Sequence, residues 1–390
     1  MDVSSPESRN PTGVDHGSSV ASRRGEVSPG NAATSRPSDA TSTAYPGEAY
    51  DETYDVFLAG SLFMDLVFAG LPHAPVLGTE TWADAMGCCP GGVANMAVAT
   101  SRLGARTSLA TIFGDDFYGD FCHESLEVGE SIDLSGSIRK YRAHTPVTVS
   151  LSYDGDRTMI SHGHVSKVGV ANPEAIPQSK AFFASIESGM SVPWLAQARS
   201  SGAKVFADTG WDSSEKWDLT NLTDLAYVDV FMPNAAEAMA FTKTDNALDA
   251  ARRLSDHVEL AVVTQGKDGA IAVDGGTGDI VQVQGIDVQS VDPTGAGDIF
   301  AAGVMVGLIS ELDVRSAVTL GTVAAGLSVQ WMGGSFSAPS IFEVGDWYQR
   351  HQAKGSVGFE TAYGFIPDLV PDLRSRRRPR RAIPTVGFRQ

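Results

Sequence analysis

The period of apolar and polar positions changes along the chain in a regular way. Residues 54–60 form a short apolar run closed by glycine, the pattern of a strand buried on both faces. Residues 93–103 set Ala94, Ala97, Val98 and Leu103 at helical spacing and stop at Gly104. A strand over 107–113 and a turn through 114–121 into a further helix follow. Residues 145–153 and 157–161 alternate and are joined by Asp154-Gly155, which predicts a β-hairpin. Strands are then expected over 181–186, 204–208 and 228–232, with helices at 194–200 and after Asn234. A strand over 260–264 has a hairpin partner at 270–273, and long apolar helices occupy 298–308 and 314–331. Such alternation predicts an α/β fold with a mostly parallel sheet covered on both faces. The hairpin, with a loosely strand-like stretch at 79–89 that breaks at Pro90-Gly91-Gly92, predicts a small separate sheet forming a lid.

Composition sets the boundaries. Residues 1–53 are rich in Ser, Pro, Gly and Thr with little apolar periodicity, so a disordered tail is expected there. One folded domain is expected over 54–350, with lid segments near 79–90 and 139–166. Residues 351–390 carry Arg374, Arg376, Arg377, Arg378, Arg380 and Arg381 and read as a basic second tail. The 390-residue chain has 47 acidic against 29 basic residues, a formal net charge of −18. That balance argues against nucleic-acid or anionic-membrane binding as its main business. Cys88, Cys89 and Cys122 make neither a disulfide framework nor a zinc spacing, so a cytoplasmic location is expected. Apolar stretches fall short of membrane-spanning length.

Candidate chemistry centres on Asp292-Pro293-Thr294-Gly295-Ala296-Gly297-Asp298, directly before an apolar helix. Glycines at a helix start let unpaired N–H groups approach an anion, and the helix dipole favours it. A carboxylate in that same place repels a phosphate unless it takes a proton, so Asp298 is the candidate base of a phosphoryl transfer. In open α/β sheets ligands bind beyond the carboxyl ends of strands. Asp65, Asp208, Asn234 with Glu237, and Thr264 with Gly266 all fall at such ends. Glu237 and Asp208 are the candidate Mg²⁺ carboxylates, although Asn234 and Glu237 also match a capping box. Gly91-Gly92 opens the 93–103 helix, and Asn95 in its first turn is expected to face the same ligand.

These stretches resemble the ribokinase-like (PfkB) family of sugar and nucleoside kinases. The resemblance rests on the string from Asp292 to Asp298, on Gly91-Gly92-Val93-Ala94-Asn95 with Arg102-Leu103-Gly104, on Gly114-Asp115-Asp116-Phe117-Tyr118-Gly119, and on Asn234-Ala235-Ala236-Glu237. It covers about residues 54–347. It implies a three-layer α/β/α ribokinase-like fold and an ATP-dependent carbohydrate kinase. It further implies Asp298 as base, Gly295, Ala296 and Gly297 as the anion hole, and Asn234 with Glu237 at Mg²⁺ and the ATP phosphates. Thr264, Gly266 and Gly269 would border the nucleotide, while Asp65, Gly91, Gly92 and Asn95 would hold sugar hydroxyls. Some relatives bind a monovalent cation at this turn, for which Asp292 and Thr294 are the oxygen donors here. Asp65 favours an uncharged polyol, since a carboxylate accepts from hydroxyls and repels phosphate. Arg139, Lys140, Arg142, Arg157 and Lys167, in or near the lid, keep a phosphosugar open, and His162 and His164 are further hydroxyl partners. An unphosphorylated sugar is the expected acceptor, with a nucleoside next. A non-catalytic sugar-binding regulatory protein is the alternative of a different class. The lid sheet is also a candidate homodimer face.

Overall fold

A computed structural model describes residues 43–44, 53–154, 156–163, 176–210, 212, 215–355, 357–370 and 385–388. The central sheet has eight strands. In spatial order they are β15 (Ile280–Val283), β14 (Ala270–Asp274), β13 (Leu260–Thr264), β12 (Val230–Phe231), β11 (Lys204–Asp208), β10 (Ser179–Ser185), β2 (Tyr54–Ala59) and β5 (Thr107–Ala110). The run from β13 to β5 is parallel, and β14 and β15 add antiparallel at one edge.

The apolar runs of these strands feed two cores because successive side chains point to opposite faces. In β2, Val56 and Leu58 join one core, Phe57 and Ala59 the other. The first core is covered by α1 (Val93–Arg102), α6 (Ala296–Ile309) and α7 (Val314–Ser328). The second is covered by α3 (Leu195–Ser200), α4 (Ala235–Thr242) and α5 (Ala247–Ser255). This is the expected three-layer α/β/α arrangement. α6 is apolar on every side and buried from Ile299 to Gly307. It meets α7 where neither helix has a large side chain: a Cβ on Gly303 would lie 2.5 Å from Gly321 Cα.

The lid is a five-stranded sheet in the order β16 (Thr385–Phe388), β4 (Ala85–Gly92), β3 (Leu62–Ala69), β8 (Val147–Tyr153) and β9 (Asp156–His162). The expected hairpin is β8–β9, although Gly155, His164 and Lys167 lie outside the described residues. Three expectations are corrected here. Asp65 does not sit in a loop leaving the first strand. The chain turns at Gly60-Ser61 straight into β3, and Asp65 lies within that lid strand, opposite Cys89. Pro90-Gly91-Gly92 does not break the 79–89 lid segment, because β4 begins at Ala85 and runs through all three. Among the described residues β16 pairs with β4 from Ala85 to Cys88, and none of them pairs with Pro90 on that side. The single strand expected over 107–113 is two: β5 in the central sheet, and β6 (Ile112–Gly114). β6 pairs with β7 (Ile138–Lys140), which also pairs with β1 (Thr43–Ala44).

Structure continues past the expected end of the domain at 350. Beyond α8 (Ile341–Gln352), α9 (Phe359–Tyr363) and α10 (Ile366–Leu369) fold back, and Ile366 is fully buried with Val344, Trp347 and Tyr348. The arginines at 374–381 lie outside the described residues, as does the expected N-terminal tail apart from Thr43–Ala44 and Thr53. Among the described residues no helix is long and apolar enough to cross a membrane.

The α6–α7 contact yields a prediction. Gly303→Ala is expected to destabilise the protein by about 1–3 kcal/mol through overpacking, measured by urea unfolding; an unchanged midpoint would show that the helices can move apart without penalty.

Candidate active site

The turn before α6 is built from its own polar groups. Asp292, 1% exposed, accepts the Thr294 N–H at Oδ1 (3.0 Å) and the Gly333 N–H at Oδ2 (3.3 Å). Gly295 caps α6 at φ +76°, where a side chain would strain the backbone and press on the Asn95 amide. The Ala296 N–H closes the turn onto Pro293 O at 3.2 Å, whereas Gly297 is exposed with open space around it. Asp298 follows in the first helical turn, and Asn95 Nδ2 donates to its Oδ2 at 3.0 Å. Burial raises the Asp298 carboxyl to about 6, against the opposing pull of the Asn95 bond and the Arg157 charge.

Asp65 faces this turn from the lid. It is 8% exposed, and burial followed by the nearby Asp298 and Asp292 charges raises it to about 7. Its carboxyl occupies the space where a Cβ of Gly91 would stand, so a side chain there would displace it. Gly92 turns the chain into α1 at φ +63°, and a Cβ there would collide with Ser61 O. The N–H that opens α1, that of Val93, already donates to Ser61 O at 3.1 Å. The glycine pair therefore serves close approach of strand, helix and Asp65 rather than presenting that N–H. Asn95, expected beside the sugar hydroxyls, is 5% exposed and held against the Asp298 carboxyl, its Oδ1 without a partner.

On the other side of Asp298 lie Asp208 and Glu237. Asp208 ends β11 and accepts the Thr209 N–H at 2.7 Å; burial, then Glu237 and Asp298, push it well above the usual carboxylate range. Glu237 and Asn234 do form a reciprocal capping box (3.1 and 3.0 Å). Glu237 is nonetheless raised, by burial and by Asp298 against the two cap bonds, so cap and site membership coexist in one residue. An isolated bridge joins Asn234 to Thr264 at the end of β13. Thr264, Gly266 and Gly269 line a cleft of about 250 Å³ whose opposite wall includes Ala296, Gly297 and Phe300. Gly269 is required there, since a Cβ would collide with Val283 O. Lys267 also borders the cleft and was not singled out from the sequence; its place directly after Gly266 was the available signal.

The lid cations divide. Arg139 pairs with Asp115 at 3.4 Å and with Asp120, and Arg142 lies over the Tyr141 ring at 5.3 Å. Among the described lid cations, Arg157 alone bears on Asp298. His162 stacks on His144 with centroids 5.1 Å apart. Thr294 Oγ1 is a buried atom without a partner, the one orphaned oxygen at the turn suggested for a monovalent cation. Both Asp292 oxygens there are already used by backbone N–H groups.

A carboxyl at a helix N-terminus, between a lid-borne acid and a cleft that ends on glycine N–H groups, is the architecture of an α/β phosphotransferase. The chain matches the pfkB family carbohydrate kinase description over residues 56–341. It belongs to that family and is an ATP-dependent carbohydrate kinase. It is 28% identical to a ribokinase of Haemophilus influenzae over 267 residues, 64% of this chain and 84% of the relative. It is likewise 28% identical to a nucleoside kinase of Methanothermobacter thermautotrophicus over 302 residues, 75% of this chain and 95% of the relative. The fold is shared with the structure of an Arabidopsis thaliana ribokinase complexed with ribose and ATP. That match has a TM-score of 0.61 and 21% identity, covering 74% of this chain and 96% of the other.

Asp65 gives a stability prediction. Its carboxyl binds a proton more tightly folded, at about 7, than unfolded, at an ordinary 3.8. Stability from this group is thus full below the unfolded value and is lost as pH rises through 7. Asp65→Asn is expected to raise Tm relative to the unaltered protein at pH 8, with the gain shrinking toward pH 5; a gain independent of pH would contradict the assignment.

Proposed function

We propose that this kinase transfers the γ-phosphoryl group of Mg-ATP to a hydroxyl of an unphosphorylated sugar, with Asp298 as the base. The observation that carries the reading is the 3.0 Å Asn95–Asp298 bond. It fixes one oxygen of a carboxyl raised to about 6 and leaves Oδ1 to accept the proton of an acceptor hydroxyl. The acceptor oxygen then bonds to the γ-phosphorus as the bond to the β,γ-bridging oxygen breaks, and ADP leaves. N–H groups of the Gly295–Gly297 turn stabilise charge on the transferring group, Gly297 being the exposed member. The ATP phosphates run from this turn along the cleft past Thr264, Gly266 and Gly269, beside Asn234.

Glu237 and Asp208 suit a Mg²⁺ site. Both are held above their ordinary range beside a third acid, so the place is short of positive charge. No cluster of three or more metal-ligating side chains occurs among the described residues, which accords with a Mg²⁺ held through one or two carboxylates, waters and phosphates. When bound, it would neutralise phosphate charge. An Asp292–Thr294 cation site has only the orphaned Thr294 oxygen in its favour, and no step depends on it.

The acceptor reading rests on Asp65. No donor among the described residues hydrogen-bonds its carboxyl, which therefore suits sugar hydroxyls and repels a phosphate. The nucleoside-kinase relative keeps a nucleoside as the second reading. The three buried cysteines are free, in keeping with a reduced cytoplasmic setting. Met159 and Ile160, exposed on β9, the last strand of the lid sheet among the described residues, support the lid as a face for a second copy.

Incubation with Mg-ATP and panels of sugars, phosphosugars and nucleosides is expected to give acceptor-dependent ADP release with a neutral sugar; release only with a phosphosugar or nucleoside would overturn the acceptor reading. The base must be ionised, so kcat/KM is expected to fall as pH drops through 7 to 6, well above an ordinary aspartate's titration. A flat profile down to pH 5 would count against a raised carboxyl as base.

A further inference from the structure

Arg102, in the last turn of α1, is 2% exposed and lies outside the acid cluster. Glu130, 1% exposed, holds its guanidinium as a fork, Nε to Oε2 at 2.9 Å and Nη2 to Oε1 at 2.7 Å. Nη1 donates the other way, to Phe336 O at 2.8 Å and Ala338 O at 2.6 Å. A buried ion pair is weak evidence for stability, because desolvation offsets its Coulomb gain. Its use is therefore to be sought in what the second face of the guanidinium grips.

That grip is on the turn over residues 333–338, which touches both halves of the site. Gly333 N–H donates to Asp292 at the root of the anion turn (3.3 Å). Ser335 Oγ, fully buried, donates to Pro90 O at 2.6 Å, next to the Gly91 that seats Asp65. Gly334, at φ +49°, leaves no room for a Cβ, which would lie 2.8 Å from the sulfur of Cys89, the residue opposite Asp65 in β4. The same Cβ would stand 3.6 Å from Asn95 Oδ1 and 3.7 Å from Thr294. Asn95 and Arg102 are seven residues apart, so one face of α1 carries both. One end of that face bonds the base, and the other holds the turn.

We propose that Arg102 is a positioning residue: anchored by Glu130, it fixes the 333–338 turn and thereby the spacing between lid-borne Asp65 and the α6 turn bearing Asp298. This rests on the functional reading above. The nucleotide side, Thr264 to Gly269 on β13 and the loop after it, makes no hydrogen bond to the turn among the described residues. Loosening Arg102 therefore misplaces the acceptor against the base and leaves the nucleotide in place.

The test is the double variant Arg102→Met/Glu130→Leu, which removes both buried charges together, assayed with whichever acceptor the unaltered enzyme turns over. A nucleoside acceptor would thus overturn the sugar reading and leave this test intact. The expected result is an acceptor KM raised, and a kcat lowered, each by about tenfold or more, with the ATP KM unchanged. A fall in kcat alone with both KM values unaltered is what fewer active molecules produce, and it would overturn the proposal. Should the double variant not fold, Ser335→Ala decides. It removes the bond to Pro90 O and the hydroxyl's contact with the Cys89 thiol, both ties to the strand that seats Asp65, and is expected to raise the acceptor KM by about fivefold. An unchanged acceptor KM in that variant overturns the proposal as well.

Discussion

The structure is organised around the crowding of carboxyl groups at one edge of the central sheet. Asp65, Asp208, Glu237 and Asp298 are all raised, each first by burial; the Asp298 charge adds to the shift of the other three, whereas Asp298 itself is raised by burial alone. Burying acids near one another without a cation opposes folding. On the function proposed above, ligands complete the arrangement: hydroxyls at Asp65, a metal and phosphates at Asp208 and Glu237, and a proton at Asp298. On that proposal, binding energy from those ligands would offset the electrostatic penalty of the crowded acids, while burial raises Asp298 to about 6, near where a base is most useful.

Topology brings the acids together with little chain. β2 ends at Ala59 and the lid begins at Leu62, so Asp65 stands a few residues from the central sheet while belonging to another. β11, β12 and β13 are parallel neighbours, and their carboxyl ends deliver Asp208, Asn234 with Glu237, and Thr264 side by side. α1 and α6 pack together on one face, which sets Asn95 under Asp298. The 333–338 turn then links lid, α1 and anion turn.

Much of this was legible in the sequence, and the failures have physical causes. Continuous apolar runs marked the parallel strands, because burial on both faces erases alternation. The helix starting at Asp298 and the hairpin at 154 were equally plain. β3 is not plain in the sequence because Asp65, read as polar chain beyond the first strand's end, interrupts its apolar run; in the structure the carboxyl is buried and raised. Pro90-Gly91-Gly92 reads as a turn because sequence does not reveal that β3 pairs with all three or that Asp65 fills the space beside Gly91. Asn95 was found, but its partner 203 positions away was not, since local pattern carries no long-range pairing. Arg102 and Glu130 were invisible as a pair for the same reason.

The central claim is that Asp298 takes the proton from the acceptor hydroxyl. The most direct measurement is turnover by Asp298→Asn, which keeps the size and the Asn95 contact but cannot act as a base, alongside nucleotide binding by the same protein. The account predicts binding of Mg-ATP close to that of the unaltered enzyme with kcat reduced by about 10²–10⁴-fold, the usual contribution of general-base catalysis. Turnover within a few-fold of the unaltered enzyme would contradict it.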